Sequence, residues 1–185
     1  MTDRLFFDTD CISSFMWSDE GCLLTQLYPG RIIIPEMVHQ ELSRVRQPQF
    51  VKRINSLLDS GEATLMDIEV GSPSFSLYRR MTTNPEPGHS AIGKGEASAL
   101  ALAHEHNGII ASNNFRDIRQ YVHDLKLNYL STGDIMVEAY EQGLISLDKA
   151  NDIWRIMVQE DCWIGADSFN DFLNKPYKPL LNGPG

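Results

Sequence analysis

The stretch that decides the fold is Gly108-Ile109-Ile110-Ala111-Ser112-Asn113-Asn114-Phe115-Arg116-Asp117. It begins as a short apolar strand, continues into three polar residues, and enters a segment with a helical pattern that carries an acidic residue. In parallel α/β sheets, ligands gather outside the carboxyl ends of the strands. The polar residues that follow this strand are therefore candidates for a functional site.

A second strand with the same kind of ending lies near the N-terminus. The apolar residues Leu5-Phe6-Phe7 run directly into Asp8-Thr9-Asp10. Asp8 and the Asn114/Asp117 pair thus each lie just past the end of a predicted strand. We expect them to meet at one edge of a sheet.

Two further acidic residues lie on predicted helices. Glu41 is the one charge on an apolar stripe that Val38, Leu42 and Val45 form at three- and four-residue spacing. Glu96 lies in the first turn of an Ala/Leu-rich segment, residues 95–103, with high helix propensity. Helices that start or pass at the same edge of the sheet can add Glu41 and Glu96 to it.

Several carboxylates that converge on one site need a cation or bound protons, because an unpaired buried charge is costly. Mg²⁺ and Mn²⁺ prefer oxygen ligands and keep part of their water shell for chemistry on phosphates. Each residue taken alone has a structural alternative. Asp8 or Asp10 could cap a helix, Glu96 and Asp117 also suit helix N-termini, and Glu41 could pair with Arg44 or a distant Arg.

Apolar strands alternate with helical patterns along the chain, which favours an α/β fold around a mostly parallel sheet. The predicted strands are 5–8, 31–34, 63–68, 108–112 and 127–131. The predicted helices are 10–27 with a break near Asp19, 35–46, 48–60, 73–83, 95–107, 115–125, 132–142, 146–160 and 166–174. We expect one sheet domain over 1–131, a helical extension packed on it over 132–175, and a loose tail over 176–185.

Composition sets further bounds. The chain has 185 residues, of which 42% are hydrophobic, and its net charge of -9 argues against nucleic-acid binding through bulk positive potential. Three cysteines without a CxxC pair fit a reducing compartment. No uncharged apolar run reaches the length of about 18 residues that a membrane span needs. We therefore expect a cytoplasmic protein without membrane contact.

The order of these segments resembles the PIN-domain ribonucleases, including the VapC-type toxins of toxin–antitoxin pairs. The resemblance covers about residues 4–131, and the segments that carry it are 7–10, 38–42, 95–103 and 111–119. The last two are the specific ones. Residues 112–117 have the arrangement of Ser or Thr, two polar residues, two spacers and an acidic residue that is typical of the family.

The resemblance implies a three-layer α/β/α sandwich that binds one or two Mg²⁺ or Mn²⁺ ions and hydrolyses RNA. Asp8, Glu41 and Glu96 correspond to the metal-site carboxylates, with Asn114 and Asp117 in the fourth segment. Many members have one or two aspartates where this chain has Asn113-Asn114. The partners implied are RNA, a small antitoxin whose Arg or Lys reaches the carboxylates, and a second copy of the chain as a homodimer.

Two other functions stay open. A catalytically weak PIN module that binds RNA or a protein partner is favoured by the two asparagines. A haloacid-dehalogenase-like phosphatase is suggested by residues 6–10, in which Asp8 would be the nucleophile and Asp10 the general acid. Basic residues that could contact RNA, or lie on solvated helix faces, are Arg44, Arg46, Lys52, Arg53, Lys94, Arg116 and Arg119.

Overall fold

One sheet of five parallel strands forms the centre of the molecule, in the order β3-β2-β1-β4-β5. The computed structural model describes residues 3–175. The strands are β1 (Leu5–Phe7), β2 (Ile32–Pro35), β3 (Ala63–Met66), β4 (Ile109–Ala111) and β5 (Asn128–Leu130). Each predicted strand is present, and the prediction of an α/β fold with a mostly parallel sheet is confirmed.

Ten helices lie between and after the strands in the described residues. They are α1 (Thr9–Trp17), α2 (Gly21–Leu27), α3 (Glu36–Leu42), α4 (Pro48–Asp59), α5 (Pro73–Thr83), α6 (Lys94–Glu105), α7 (Phe115–Asp124), α8 (Thr132–Glu141), α9 (Leu147–Gln159) and α10 (Phe169–Leu173). The segment 10–27 divides into α1 and α2 at Asp19, whose positive φ of 61° is incompatible with a continuing right-handed helix.

Helices cover both faces of the sheet because every central strand is apolar on both sides. In β1, Leu5 and Phe7 point to one face and Phe6 to the other, and all three are fully buried. The first face packs against α1–α4 and α8–α10, and the second face packs against α5–α7. The result is the three-layer α/β/α arrangement.

The helices after residue 131 share the core of the first face. Trp154 on α9 is fully buried, and its indole N–H donates to the backbone oxygen of Ala166 at 3.0 Å. Its ring also packs against Phe169 and Phe172 of α10. Burial of a large aromatic side chain contributes about 1.5–3 kcal/mol, so this segment is held firmly.

The predicted division at residue 131 stays a prediction, and the predicted tail over 176–185 lies outside the described residues. Among the residues that the structure describes, no helix is both long enough and apolar enough to cross a membrane. The cytoplasmic location likewise stays a prediction.

Candidate functional site

The candidate site lies where β1 and β4 run side by side and their following segments diverge. The strand order changes direction here, because β2 flanks β1 on one side and β5 flanks β4 on the other. Asp8 follows β1 directly, and its backbone N–H donates to the oxygen of Ala111, the last residue of β4. Such a switch point is the usual place for a ligand crevice in an open parallel sheet.

Asp8 is the most deeply buried acidic residue of the site, with 1% of its surface exposed. Its Oδ1 atom accepts from the N–H of Cys11 at 2.8 Å and caps helix α1. Its Oδ2 atom is buried and has no hydrogen-bond partner among the described residues. Burial raises the pKa of Asp8 from 3.8 to about 7, and the nearby Ser112 hydroxyl lowers it only in part.

Glu41 projects from α3 towards the starts of α1 and α6. Its Oε2 atom accepts from the hydroxyl of Thr9, and its Oε1 atom accepts from the N–H of Gly95 at 3.1 Å. These two donors belong to the residues next to Asp8 and Glu96. Glu41 is therefore fixed beside both.

Gly95 makes this approach of α3 and α6 possible. A Cβ atom at this position would lie 2.7 Å from Glu41 Oε2 and 2.7 Å from Thr9 Oγ1. Both distances are too short for any non-bonded contact, so a side chain here would displace the Glu41 carboxylate. Gly95, which precedes Glu96 in the sequence, thus helps to place the carboxylate of Glu41.

Glu96 has one oxygen in a helix cap and the other in the site. Its Oε2 atom accepts from the N–H of Gly93 at 3.0 Å, which caps α6. Its Oε1 atom accepts from Asn114 Nδ2 at 2.7 Å. Burial raises the pKa of Glu96, the two hydrogen bonds oppose that rise, and the negative charges of Asp10 and Asp117 add to it.

Asn114 joins two carboxylates through one amide nitrogen. Besides Glu96, its Nδ2 atom donates to Asp117 Oδ2 at 2.9 Å. Asn114 therefore acts in this structure as a donor that holds the acidic side chains together. As a metal ligand, which the family resemblance implies, Asn114 would use its amide oxygen.

Asn113 has a different task from its neighbour. Its Nδ2 atom donates to the backbone oxygen of Asp10 at 3.4 Å and to Ser14 Oγ at 3.2 Å, both on α1. Its Oδ1 atom accepts from the N–H of Thr132 at the start of α8 at 3.0 Å. An aspartate could not make the first two bonds, so the amide at this position is explained by structure.

Asp10 is a member of the acidic cluster that was absent from the predicted site residues. Burial raises its pKa, and the negative charge of Glu41 raises it further. Asp10 in turn raises the pKa values of Asp8 and Glu96. The signal was present in the sequence, since Asp10 lies two residues after Asp8, but the pattern also suited a helix cap.

The structure thus brings Asp8, Glu41, Glu96, Asp117 and Asn114 to one end of the sheet, with Asp10 among them. Within residues 3–175, none of these carboxylates forms an ion pair with Lys, Arg or His. Over the same residues, no group of three or more His, Cys, Asp or Glu side chains is arranged to hold a metal ion.

The donor set nevertheless fits a hard divalent cation. All the candidate ligand atoms are carboxylate or amide oxygens, which Mg²⁺ and Mn²⁺ prefer. The buried Oδ2 atom of Asp8 lacks a partner, and a cation would supply one. Small side-chain movements would then be needed to gather the remaining carboxylates.

Two clefts are each lined in part by residues of the cluster. The first, of about 430 Å³, contains Glu96 and Asp117 together with Arg116 and Arg119. The second, of about 420 Å³, contains Asp10, Asn113 and Asn114 with the loop that follows α9.

Of the basic residues on or near α4 that could contact RNA, Arg53 has a structural role. Arg53 pairs with Asp19 at 2.7 Å and donates to the backbone oxygen of Met16, so it ties α4 to the end of α1. Arg46 and Lys52 line an open depression that shares no residue with either cleft.

Comparison with known proteins places the chain in a family. No curated protein matches it. A family model does match: DUF3368, a PIN domain, over residues 4–177, which is nearly the whole length. The haloacid-dehalogenase-like alternative gains no support from this match. PIN domains are in general nucleases that use divalent metals, and this chain belongs to the PIN-domain family.

Proposed function

We propose that this protein is a Mg²⁺- or Mn²⁺-dependent endoribonuclease that hydrolyses RNA phosphodiester bonds. The observation that carries the proposal is the unpartnered, buried Oδ2 atom of Asp8 within a cluster of carboxylates that have no ion pair in the described residues. Such a cluster is stable only with protons or a cation, and family membership favours the cation.

The residues that would hold the metal are Asp8, Glu41, Glu96 and Asp117, with Asn114 as an auxiliary ligand and Asp10 as an addition from the structure. When bound, the ion lowers the pKa of a coordinated water and stabilises negative charge on the phosphate. The protein needs no covalent nucleophile for such a hydrolysis.

The remaining work of the chain is to position these groups. Thr9 and Gly95 hold the Glu41 carboxylate from two sides, and Asn114 holds Glu96 beside Asp117. Asp8 with a pKa of about 7 gives up its proton close to neutral pH, and metal binding favours that loss. Activity is therefore expected to rise with pH towards neutrality.

A catalytically weak module that binds RNA or a protein partner is the second candidate. It is favoured by Asn114, which adds no negative charge and donates to two carboxylates. The absence of a three-residue metal group in the described part of the chain points the same way.

The role of a toxin is a finer proposal within the first function. The carboxylates of the cluster pair with no Lys or Arg of the described residues, which suits an antitoxin whose own Arg or Lys enters the site. A homodimer is proposed from family resemblance alone.

The test is cleavage of single-stranded RNA by the purified full chain with Mn²⁺ or with EDTA, alongside the Asp8→Asn variant. Asparagine still caps α1, so the variant is expected to fold and to lose cleavage. Asn128→Asp, an exposed change at the opposite end of β5, is the control and should keep activity.

Cleavage that persists in EDTA, or in the Asp8→Asn variant, would reject the metal-dependent mechanism. RNA binding without cleavage would favour the second candidate. Turnover of a small phosphomonoester that is lost with Asp8→Asn, without RNA cleavage, would favour phosphatase chemistry.

A further inference from the structure

Trp163 is an exposed aromatic side chain beside the candidate site. It lies in the loop between α9 and α10, and 77% of its surface is exposed. The two other tryptophans differ from it, since Trp154 is fully buried and Trp17 packs against the ring of Phe50. Tryptophan is enriched at binding interfaces, where its large ring supplies contact area.

The backbone on both sides of Trp163 is held in place. The N–H of Cys162 donates to the oxygen of Met157 at 2.9 Å, and Ile164 is buried with 5% exposed. Two residues further on, the oxygen of Ala166 accepts from the indole of Trp154. The exposure of Trp163 is thus imposed by an anchored loop.

Trp163 shares its cleft with two members of the candidate site, Asp10 and Asn114. Asp10, Asn113 and Asn114 line the same cleft of about 420 Å³. The other cleft, of about 430 Å³, contains Glu96 and Asp117 of the cluster together with Arg116 and Arg119. Both arginines are exposed and form no ion pair among residues 3–175. The two clefts that contain members of the acidic cluster therefore also contain an aromatic surface and a pair of cations.

We propose that Trp163 stacks on a base of single-stranded RNA and so positions the strand at the acidic cluster, with phosphates in the other cleft contacting Arg116 and Arg119. This inference rests on the proposed function and specifies its substrate class. A base-paired strand would not offer the face of a base to a protruding indole, whereas an unpaired strand does.

The charges around Trp163 agree with contact to a base instead of a phosphate. Glu160 and Asp161 line the same cleft and repel phosphate, whereas the face of a base carries no charge. The cations lie in the other cleft, where phosphate can be bound. A basic protein segment would also suit the acidic side, and the experiment below tells the two apart.

The test measures binding of a fluorescein-labelled, 12-nucleotide single-stranded RNA to the full chain in the cleavage-deficient Asp8→Asn background, at fixed salt and Mg²⁺. Trp163→Leu removes the aromatic face but keeps apolar bulk, and it is expected to raise Kd roughly 5- to 100-fold. Trp163→Phe should retain most of the affinity. Val70→Ala, at a residue 80% exposed and outside both clefts, is the control.

Single abasic positions along the RNA provide the second measurement. One position should weaken binding to the Asp8→Asn protein but have no further effect once Trp163 is Leu, because both changes remove the same stack. Equal Kd values for Trp163→Leu and its parent overturn the proposal, as does additive loss at every abasic position. Equal Kd values are also the result expected if the cleft binds a basic protein segment instead of RNA.

Parallel cleavage assays with Asp8 intact separate failure of the proposed ribonuclease function from failure of the proposed role of Trp163. Asp8-dependent cleavage of RNA together with unchanged Kd in Trp163→Leu removes the role of Trp163 and leaves the ribonuclease standing. If the protein neither binds nor cleaves RNA, both the role of Trp163 and the ribonuclease function are refuted. Unchanged melting temperatures for the Trp163 variants are expected at so exposed a position and exclude misfolding.

Discussion

Replacing Asn114 with Asp tests whether the acidic cluster is held together as the structure indicates. The amide nitrogen of Asn114 donates to Glu96 Oε1 at 2.7 Å and to Asp117 Oδ2 at 2.9 Å. The substitution keeps the size and shape of the side chain, but it turns both contacts into contacts between carboxylates. Without a metal, the variant should be less stable than the parent.

The size of the effect follows from the two contacts. A hydrogen bond to a charged group contributes about 1.5–3 kcal/mol when buried. Asp117 is exposed and Glu96 is half-buried, so solvent screening reduces the expected total to about 1–3 kcal/mol. For a chain of 185 residues this corresponds to a fall in Tm of roughly 3–10 °C.

Divalent metal should reverse the order of thermal stability of the Asn114→Asp variant and the parent. A fifth carboxylate, or a sixth if Asp10 is counted, raises the affinity for a cation, so Mn²⁺ should raise the Tm of the Asn114→Asp variant by more than that of the parent. The assay is thermal unfolding at pH 7.5 or thereabouts in EDTA and in Mn²⁺, with Asn128→Asp as the control for added charge. Equal melting of variant and parent in EDTA, with equal response to Mn²⁺, would refute the reasoning.

Three further predictions concern single residues. The folded-state pKa of Asp8 is about 7, above its ordinary 3.8. Proton uptake by Asp8 therefore stabilises the metal-free fold below about pH 4, and this stabilisation is lost as pH rises to about 7. Chemical unfolding in EDTA should show that Asp8→Asn loses a large part of this dependence of stability on pH. Gly95→Ala should displace Glu41, reduce the free energy of unfolding by about 1–3 kcal/mol and reduce RNA cleavage. Gly93→Ala, whose Cβ meets no atom closer than 3.4 Å, should not displace Glu41. Equal behaviour of the two variants in denaturation and cleavage assays contradicts this prediction. Asn113→Asp should destabilise the chain by about 1–3 kcal/mol with or without Mn²⁺, and a metal-dependent effect on Tm would instead assign residue 113 to the site.

Much of the fold was predictable because its signals are local. The apolar strands are buried on both faces, so they appear as uninterrupted runs such as Ile32-Ile33-Ile34, and the helices between them begin at recognisable caps such as Ser72 and Ser131. Strand order was less accessible, since pairing of β1 with β4 depends on contacts about one hundred residues apart.

The site was predictable only as a set of residue types. Sequence position placed Asp8 and Asn114 at strand ends, but the division of labour between Asn113 and Asn114 depends on which direction each side chain takes after β4. The same holds for Glu41, whose partner is the backbone of Gly95 and not Arg44. Trp163 gave no signal at all, because exposure of an aromatic residue is a property of the folded surface.

The bonds of Asn113 have a consequence for anyone who trims this protein to a smaller unit. The amide oxygen of Asn113 receives the N–H of Thr132, the first residue of α8. A chain cut after residue 131 would leave that oxygen without its donor, release the strand end beside Asn114, and uncover the apolar side of α1. A shortened version intended for crystallisation or biochemistry should therefore keep α8 and α9, because without them the groups next to the carboxylates of the candidate site would lose their positions.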